Sequence, residues 1–218
     1  MVNVTWRPLW PKLKYFCGLD LGQSRDPTAI AVIEERTEPL EPGTLQPNPE
    51  TRTTLDVRHL ERLPLRTSYP DVIAHVQQML ASAPLRGNAR LIVDATGVGK
   101  PVVDLLRKAN LRPVAITITA GADFSQDGRD FRVSKLVLVS QLQALFHSGE
   151  LRIADALPEA ATLKGELANF RANITESGAM TFGARSGRHD DLVLSLAIAA
   201  WYCKHAYRNR ITSREFAV

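Results

Sequence analysis

The segment YFCGLDLGQSRDPTAIAVIEE, Tyr15–Glu35, predicts two strands joined by a polar turn. Strand-forming residues run over 15–21 and again over 28–35, and the GQSRDP between them has the composition of a turn. Asp20 stands near the end of the first strand, where a carboxylate is either a turn former or the first member of an acidic site. Other acidic residues along the chain are needed to distinguish these two roles.

Further strand and helix patterns follow this hairpin. In order they are a proline-rich loop 36–50, a strand 51–63, a helix 69–83, a buried strand from 89 to Asp94, a helix 100–111, a strand 112–119, a mobile polar loop 121–131, helices 132–149 and 157–174, a strand and loop 178–188, and a final helix 189–210. Three successive strands, then alternating helices and strands, predict an α/β fold. We expect a mixed central sheet, antiparallel in its first three strands and then parallel, flanked by helices.

Length and composition indicate one globular domain, with 218 residues of which 44% are hydrophobic. We divide the chain into a lead-in segment 1–14, a main domain 15–206 and a basic tail 207–218. It has no apolar run of about 20 residues and no signal-peptide pattern, so we expect a cytoplasmic protein without a membrane partner. The two cysteines, Cys17 and Cys203, lack metal-ligand spacing and predict buried, inert side chains.

Four aspartates lie where an apolar element opens onto a loop. Asp20 is near the end of the first strand, Asp94 ends LIVD, and Asp190 and Asp191 begin an apolar helix. Taken singly, each is a turn former or a helix-start residue. Together they are able to converge, because ligands in open α/β sheets gather at the carboxyl ends of the strands.

A cluster of this kind has a chemical use. Two divalent cations about 3.5–4 Å apart need shared oxygen ligands, and such a pair promotes phosphodiester hydrolysis. Aspartates without cysteine ligands favour Mg²⁺ or Mn²⁺ over zinc. The net charge of +4, with basic residues gathered at both ends of the chain, permits a polyanionic partner such as nucleic acid but does not require one.

Five motifs, in their order along the chain, resemble the nuclease domain of the phage large terminase subunit. They are GLDLGQSRDPTAIAV, LIVDATGVGKPVVDLL, VSKLVLVSQLQALF, LKGELANF and GRHDDLVLSLAIAAW. That family is part of the ribonuclease H-like superfamily, which includes RuvC-type resolvases. The resemblance implies a ribonuclease H-like nuclease domain over 15–206. It also implies an endonuclease that cuts concatemeric double-stranded DNA during phage genome packaging.

The resemblance further implies the roles of the aspartates. Asp20 would bridge two Mg²⁺ or Mn²⁺ ions, Asp94 would bind one of them, and Asp190 or Asp191 would complete the other. Neighbouring helical residues point about 100° apart, so we keep both as candidates and favour Asp191.

Four basic or imidazole side chains are candidate DNA contacts. Lys135 begins a helix and is either a phosphate contact or a solvated lysine, and His189 is either a substrate contact or a helix cap. Arg185 and Arg188 complete the set. The partners implied by the resemblance are double-stranded DNA, an ATPase motor domain or chain, a small terminase subunit and a portal, in the cytoplasm of a bacterial host.

The segment DATGVGKP departs from a phosphate-binding loop at two positions. Asp94 stands where the pattern has its first glycine, and Pro101 replaces Ser or Thr, so no ATP site of that kind is predicted. We therefore expect either a nuclease domain apart from its motor or a free-standing relative. One alternative is a RuvC-like junction resolvase. The other is an actin- or Hsp70-like nucleotide-binding domain, because GLDLGQS and DATGVG also resemble its phosphate-binding turns; that alternative gives HDD no role.

Overall fold

A computed structural model describes residues 10–22, 26–46, 48–97, 99–169, 171–174, 180–183 and 190–215, with the backbone alone for 169, 171–174, 180–183 and 206–215. Ten strands and five helices occur in these ranges. No helix in this part of the chain combines the length and the apolar character needed to cross a bilayer.

Eight strands form the central sheet, in the order β6-β7-β5-β4-β1-β2-β3-β8. Their bounds are β1 (Lys12–Asp20), β2 (Ala29–Pro39), β3 (Thr51–Arg62), β4 (Ala89–Asp94), β5 (Val114–Thr119), β6 (Phe124–Asp127), β7 (Asp130–Ser134) and β8 (Leu151–Ile153). Strands β1, β2 and β3 are antiparallel, whereas β4 pairs with β1 in parallel and β5 with β4. The predicted mixed sheet and ribonuclease H-like fold class are confirmed.

Helices cover both faces of the sheet. They are α1 (Tyr69–Ala81), α2 (Gly99–Lys108), α3 (Lys135–His147), α4 (Ala160–Asn169) and α5 (Asp191–Glu215). One apolar core forms between the sheet and α1 and α2, and a second between the sheet and α3, α4 and α5. Side chains alternate between the two faces of a strand, so β1 contributes Cys17 and Leu19 to the first core and Phe16 to the second.

Helix α5 packs directly against the centre of the sheet. Its first turns are fully buried from Leu192 to Ala200, apart from the partly exposed Leu194. At Gly18, in the middle of β1, an added Cβ would lie 1.9 Å from the carbonyl oxygen of Ser195. Glycine at this position therefore permits the close approach of helix and strand.

The predicted mobile loop 121–131 is wrong, because the segment contains the hairpin β6–β7. Gly128 has a φ of 59° at the turn, and Phe131 and Val133 point into the core. Phe131 packs edge-on against Trp201, with ring centroids 5.2 Å apart. A polar sequence forms strands here because Phe131 packs against an aromatic ring of α5 and Val133 is buried in the same core.

Several predicted boundaries also differ. Strand β1 begins at Lys12, and β2 continues to Pro39 into the predicted loop. The helix predicted over 157–174 ends at Asn169 and is followed by a short antiparallel pair, β9 (Arg171–Ile174) and β10 (Met180–Gly183). Strand β8, which pairs in parallel with β3, was not predicted. Its three residues are too few for a recognisable alternation, and pairing with β3 determines their conformation.

The close contact at Gly18 gives a prediction about stability. Replacing Gly18→Ala forces α5 away from β1, because the methyl group has no space beside the Ser195 carbonyl. Overpacking of this kind costs roughly 1–3 kcal/mol, which we expect as a lower free energy of unfolding in urea titrations. Gly165→Ala is the matched control: it adds the same methyl group within α4, has no heavy atom within 4 Å of the new Cβ, and is expected to be neutral or slightly stabilising.

A buried carboxylate on β2 makes stability depend on pH. Tyr15 donates its hydroxyl to Glu34 at 2.9 Å, and Arg58 donates from Nη2 at 2.8 Å. Burial of Glu34 acts to raise its pKa, but the hydrogen bonds from Arg58 and Tyr15 outweigh it and the pKa is lowered from 4.5. A carboxyl group with a depressed folded pKa stabilises the protein above its unfolded pKa, and this contribution is lost as the pH falls through the folded value.

We therefore compare the wild type with Glu34→Gln in thermal unfolding between pH 7 and pH 3. The wild type is expected to have the higher Tm at pH 7, and this advantage is expected to shrink below about pH 4.5 as Glu34 is protonated. A difference in Tm that stays constant over the whole range would contradict this assignment.

Candidate metal centre

Two of the predicted aspartates lie side by side at one edge of the sheet. Asp20 is the last residue of β1 and Asp94 the last of β4, and the parallel register pairs Leu19 with Val93 immediately before them. The carboxyl ends of parallel neighbours point to the same edge. The fold therefore brings together two residues that are 74 positions apart in the sequence.

Asp94 is held in place by Thr96. Its Oδ1 accepts hydrogen bonds from the backbone N of Thr96 at 2.8 Å and from its Oγ1 at 2.5 Å. The same hydroxyl accepts from the backbone N of Ile118 on β5 at 2.9 Å. Burial raises the pKa of Asp94, while the Thr96 hydrogen bonds and the positive charge of Lys135 act against that increase. Asp94 therefore stabilises the turn after β4, as one of its two roles considered from the sequence, and it also lies close enough to affect Asp20.

The second pair of aspartates comes from the start of α5. Asp191 is the first helical residue and is buried, whereas Asp190 precedes the helix and is half-buried. Asp190 accepts a hydrogen bond from Lys135 Nζ at 2.8 Å. Lys135 is itself fixed at the start of α3, which is capped by Ser134 through a 3.2 Å hydrogen bond from the backbone N of Val137.

The other three aspartates all affect the ionisation of Asp20. The pKa of Asp20 is raised well above its ordinary value, first by burial and then by the negative charges of Asp94, Asp191 and Asp190 in that order. The ammonium group of Lys135 acts in the opposite direction. The structure therefore brings together all four predicted aspartates and one of the four predicted DNA contacts, Lys135. The other three, Arg185, Arg188 and His189, lie outside the described residues.

Two further residues of the site were not predicted. Glu166 of α4 is buried, accepts a hydrogen bond from the backbone N of Val193 at 3.0 Å and forms an ion pair with Arg62, the last residue of β3. Arg62 Nη2 also lies 3.8 Å from Asp191 Oδ2. Glu166 falls within the LKGELANF motif, so a signal was present, whereas nothing in the sequence around Arg62 distinguished it.

The side chains of this cluster are of the chemical type that binds a hard divalent cation. Carboxylate oxygens are the ligands that Mg²⁺ and Mn²⁺ prefer, and a cation among these four groups would relieve their repulsion. Within the described part of the chain, no three acidic, thiol or imidazole groups are already spaced to share one ion. Lys135 supplies a positive charge to the cluster, and ion binding requires the carboxylates to move closer together.

Comparison with known sequences gives relatives that are terminase large subunits. The chain is 25% identical over 185 residues to the terminase large subunit of Thermus phage G20c, which covers 85% of this chain. The matched region spans only 31% of that relative's length. No family model matches the chain.

Solved structures give the same result for the fold. The large terminase nuclease of thermophilic phage G20c with bound magnesium superimposes with a TM-score of 0.64 and 24% identity, covering 89% of this chain and 84% of the other. The large terminase nuclease domain of bacteriophage SPP1 with bound Mn gives a TM-score of 0.51 at 12% identity, and the match covers 88% of this chain and 86% of the other. The resemblance predicted from the motifs is therefore confirmed: the chain is similar in sequence to phage large terminase subunits and similar in fold to their nuclease domains.

Proposed function

We propose that this chain is a terminase-type nuclease: a metal-dependent endonuclease that hydrolyses phosphodiester bonds of double-stranded, concatemeric phage DNA during genome packaging. The observation that carries the proposal is the convergence of four aspartates, from the ends of β1 and β4 and the start of α5, at one edge of the sheet, where the charges of three act on Asp20. Its relatives are large terminase subunits, and two of the similar nuclease structures contain magnesium or manganese.

Asp20, Asp94, Asp190 and Asp191 are the proposed ligands of two Mg²⁺ or Mn²⁺ ions. When bound, such a pair supplies the Lewis acidity that activates water and stabilises the leaving oxygen. Asp20 is central to the proposal because the charges of the other three aspartates all act on it. The nearby positive charge of Lys135 balances the carboxylates, and we place its ammonium group next to an incoming phosphate of the DNA.

The surrounding residues orient the carboxylates. Thr96 fixes one oxygen of Asp94 with two hydrogen bonds, which leaves Oδ2 for a ligand. Glu166 binds the backbone at the start of α5 and pairs with Arg62, so it fixes the helix turn that carries Asp191. These are positioning residues, since each acts through an aspartate.

The remaining proposals come from the resemblance. Arg185, Arg188 and His189 are proposed DNA contacts, and 15–206 is proposed as the nuclease domain between the lead-in segment 1–14 and the tail 207–218. An ATPase motor domain or chain, a small terminase subunit and a portal are the proposed partners, in the host cytoplasm. Because the chain spans less than a third of its relative's length, the motor is the first partner to seek.

The decisive variant is Asp20→Asn, which removes one charge without changing the shape of the side chain. We expect Mn²⁺-dependent cleavage of supercoiled and linear duplex to fall by more than roughly 100-fold. Mutation of residues that only hydrogen-bond to metal ligands already lowers metal affinity or activity by about 10–100-fold. We also expect a higher Tm than the wild type without metal, since one of four repelling charges is gone. Full cleavage by this variant would end the nuclease proposal at this site.

Two controls accompany that measurement. Asp104→Asn removes an exposed carboxylate on α2, whose side chain is 68% exposed, and is expected to change neither cleavage nor metal-free Tm. A four-way junction is assayed beside the linear duplex with the wild type. Preferential cutting of the junction would favour a resolvase over a terminase-type substrate.

A second pair of variants separates the two neighbours on α5. Asp191 affects Asp20 more than Asp190 does, and Asp190 is already paired with Lys135. We therefore expect Asp191→Asn to reduce the Mn²⁺-induced rise in Tm more than Asp190→Asn does. The opposite order would make Asp190 the principal ligand.

A further inference from the structure

A polar cavity lies at the opposite edge of the sheet from the aspartates. It has a volume of about 520 Å³ and is formed by residues in the first halves of β1, β4 and β5, by the β6–β7 hairpin and by the middle of α5. Lys14 of β1 lines it, and Asp20 ends the same strand six residues later. At about 3.3 Å per residue the two sites are about 20 Å apart.

The cavity gathers positive charge from separate elements. Arg90 of β4, Arg112 before β5 and Arg129 in the β6–β7 turn all line it and are exposed. Among the described residues, none of these three guanidinium groups forms an ion pair. Like charges brought together from three elements repel one another, and an anion would offset that repulsion.

Two carboxylates near the arginines, Glu35 and Asp130, are already paired with other groups. Glu35 also lines the cavity, but it pairs with Lys14 at 3.5 Å and accepts a 3.2 Å hydrogen bond from Cys203 Sγ. Asp130, next to Arg129, pairs with Arg107 at 2.7 Å and accepts from the backbone N of Ala115 at 3.0 Å. Among the described residues, no ion pair therefore balances the charges of the three arginines.

We propose that this cavity binds a phosphate-bearing anion. Each guanidinium group offers a planar set of donors that matches phosphate oxygens, and three of them around one cavity suit a group with several oxygens and more than one negative charge. Asn88 adds an amide to the wall and Tyr202 a half-buried ring. The source of the phosphate is either a DNA backbone or a small phosphorylated molecule.

The proposal does not rest on the nuclease activity, because the cavity shares no residue with the acidic site. Binding is therefore measured with the full chain in the presence of a metal chelator, where no metal-dependent cleavage occurs. The probes are tripolyphosphate, followed by calorimetry, and a short fluorescent DNA duplex, followed by anisotropy at several salt concentrations.

The test variant is the double substitution Arg112→Ala/Arg129→Ala. Its matched control is Lys108→Ala/Arg132→Ala, which removes two exposed positive charges that do not line the cavity. We expect the test variant to bind tripolyphosphate at least about tenfold more weakly than the wild type, and the control to bind almost as well. If the duplex binds here, a plot of the logarithm of its binding constant against the logarithm of salt concentration should also have a slope smaller in magnitude by about two in the test variant.

The outcomes separate the possibilities. Displacement of the duplex by tripolyphosphate identifies a DNA backbone as the ligand, whereas tripolyphosphate binding without the duplex identifies a small phosphorylated molecule. Equal weakening in both double variants would show only general attraction by net charge and would overturn the proposal. It would also be overturned if the wild type bound neither probe, or bound polyglutamate as tightly as tripolyphosphate.

Discussion

The contact between α5 and β1 is the constraint on which the rest of the structure depends. Helix α5 lies so close to the sheet that the Ser195 carbonyl occupies the space of a side chain at Gly18. That contact fixes the first turn of α5 relative to the carboxyl end of β1, and thereby fixes Asp191 relative to Asp20. Asp190 and Asp191 then lie at the sheet edge, because they stand at the start of a helix whose following turns are buried against the sheet.

The same packing creates a cluster that is costly for the folded protein. Burial and three neighbouring negative charges raise the pKa of Asp20, and among the residues that the structure describes Lys135 acts against this increase. A structure selected for stability alone would place apolar or neutral side chains here. Retaining the charges is physically reasonable if a cation of higher charge offsets their repulsion when it binds. Perturbed carboxylates at the mouth of an α/β sheet are therefore better explained by a functional site than by a structural role.

Much of this arrangement could be predicted from the sequence, because the order of strands and helices limits the topologies and places Asp20 and Asp94 at one edge. The residues that could not be predicted depend on tertiary contacts. The β6–β7 hairpin forms because Phe131 meets Trp201, and β8 because three residues meet β3. Arg62 and Glu166 are distant in sequence, and they become neighbours because β3 and α4 both pack against α5.

Asp190 and Asp191 show why adjacency in sequence does not give equivalent roles. Asp190 precedes the helix, is half-buried and has Lys135 as its counter-ion, whereas Asp191 is buried and lies 3.8 Å from Arg62, which is itself paired with Glu166. A lysine side chain is flexible and readily withdraws, while Arg62 is shared with a second buried carboxylate. A cation held by the cluster would therefore have to replace Lys135 at Asp190, whereas Asp191 lies beside an Arg62 side chain that Glu166 already holds. This difference in environment is the physical reason to expect different contributions from the two neighbours, with Asp191 as the ligand that the proposal favours.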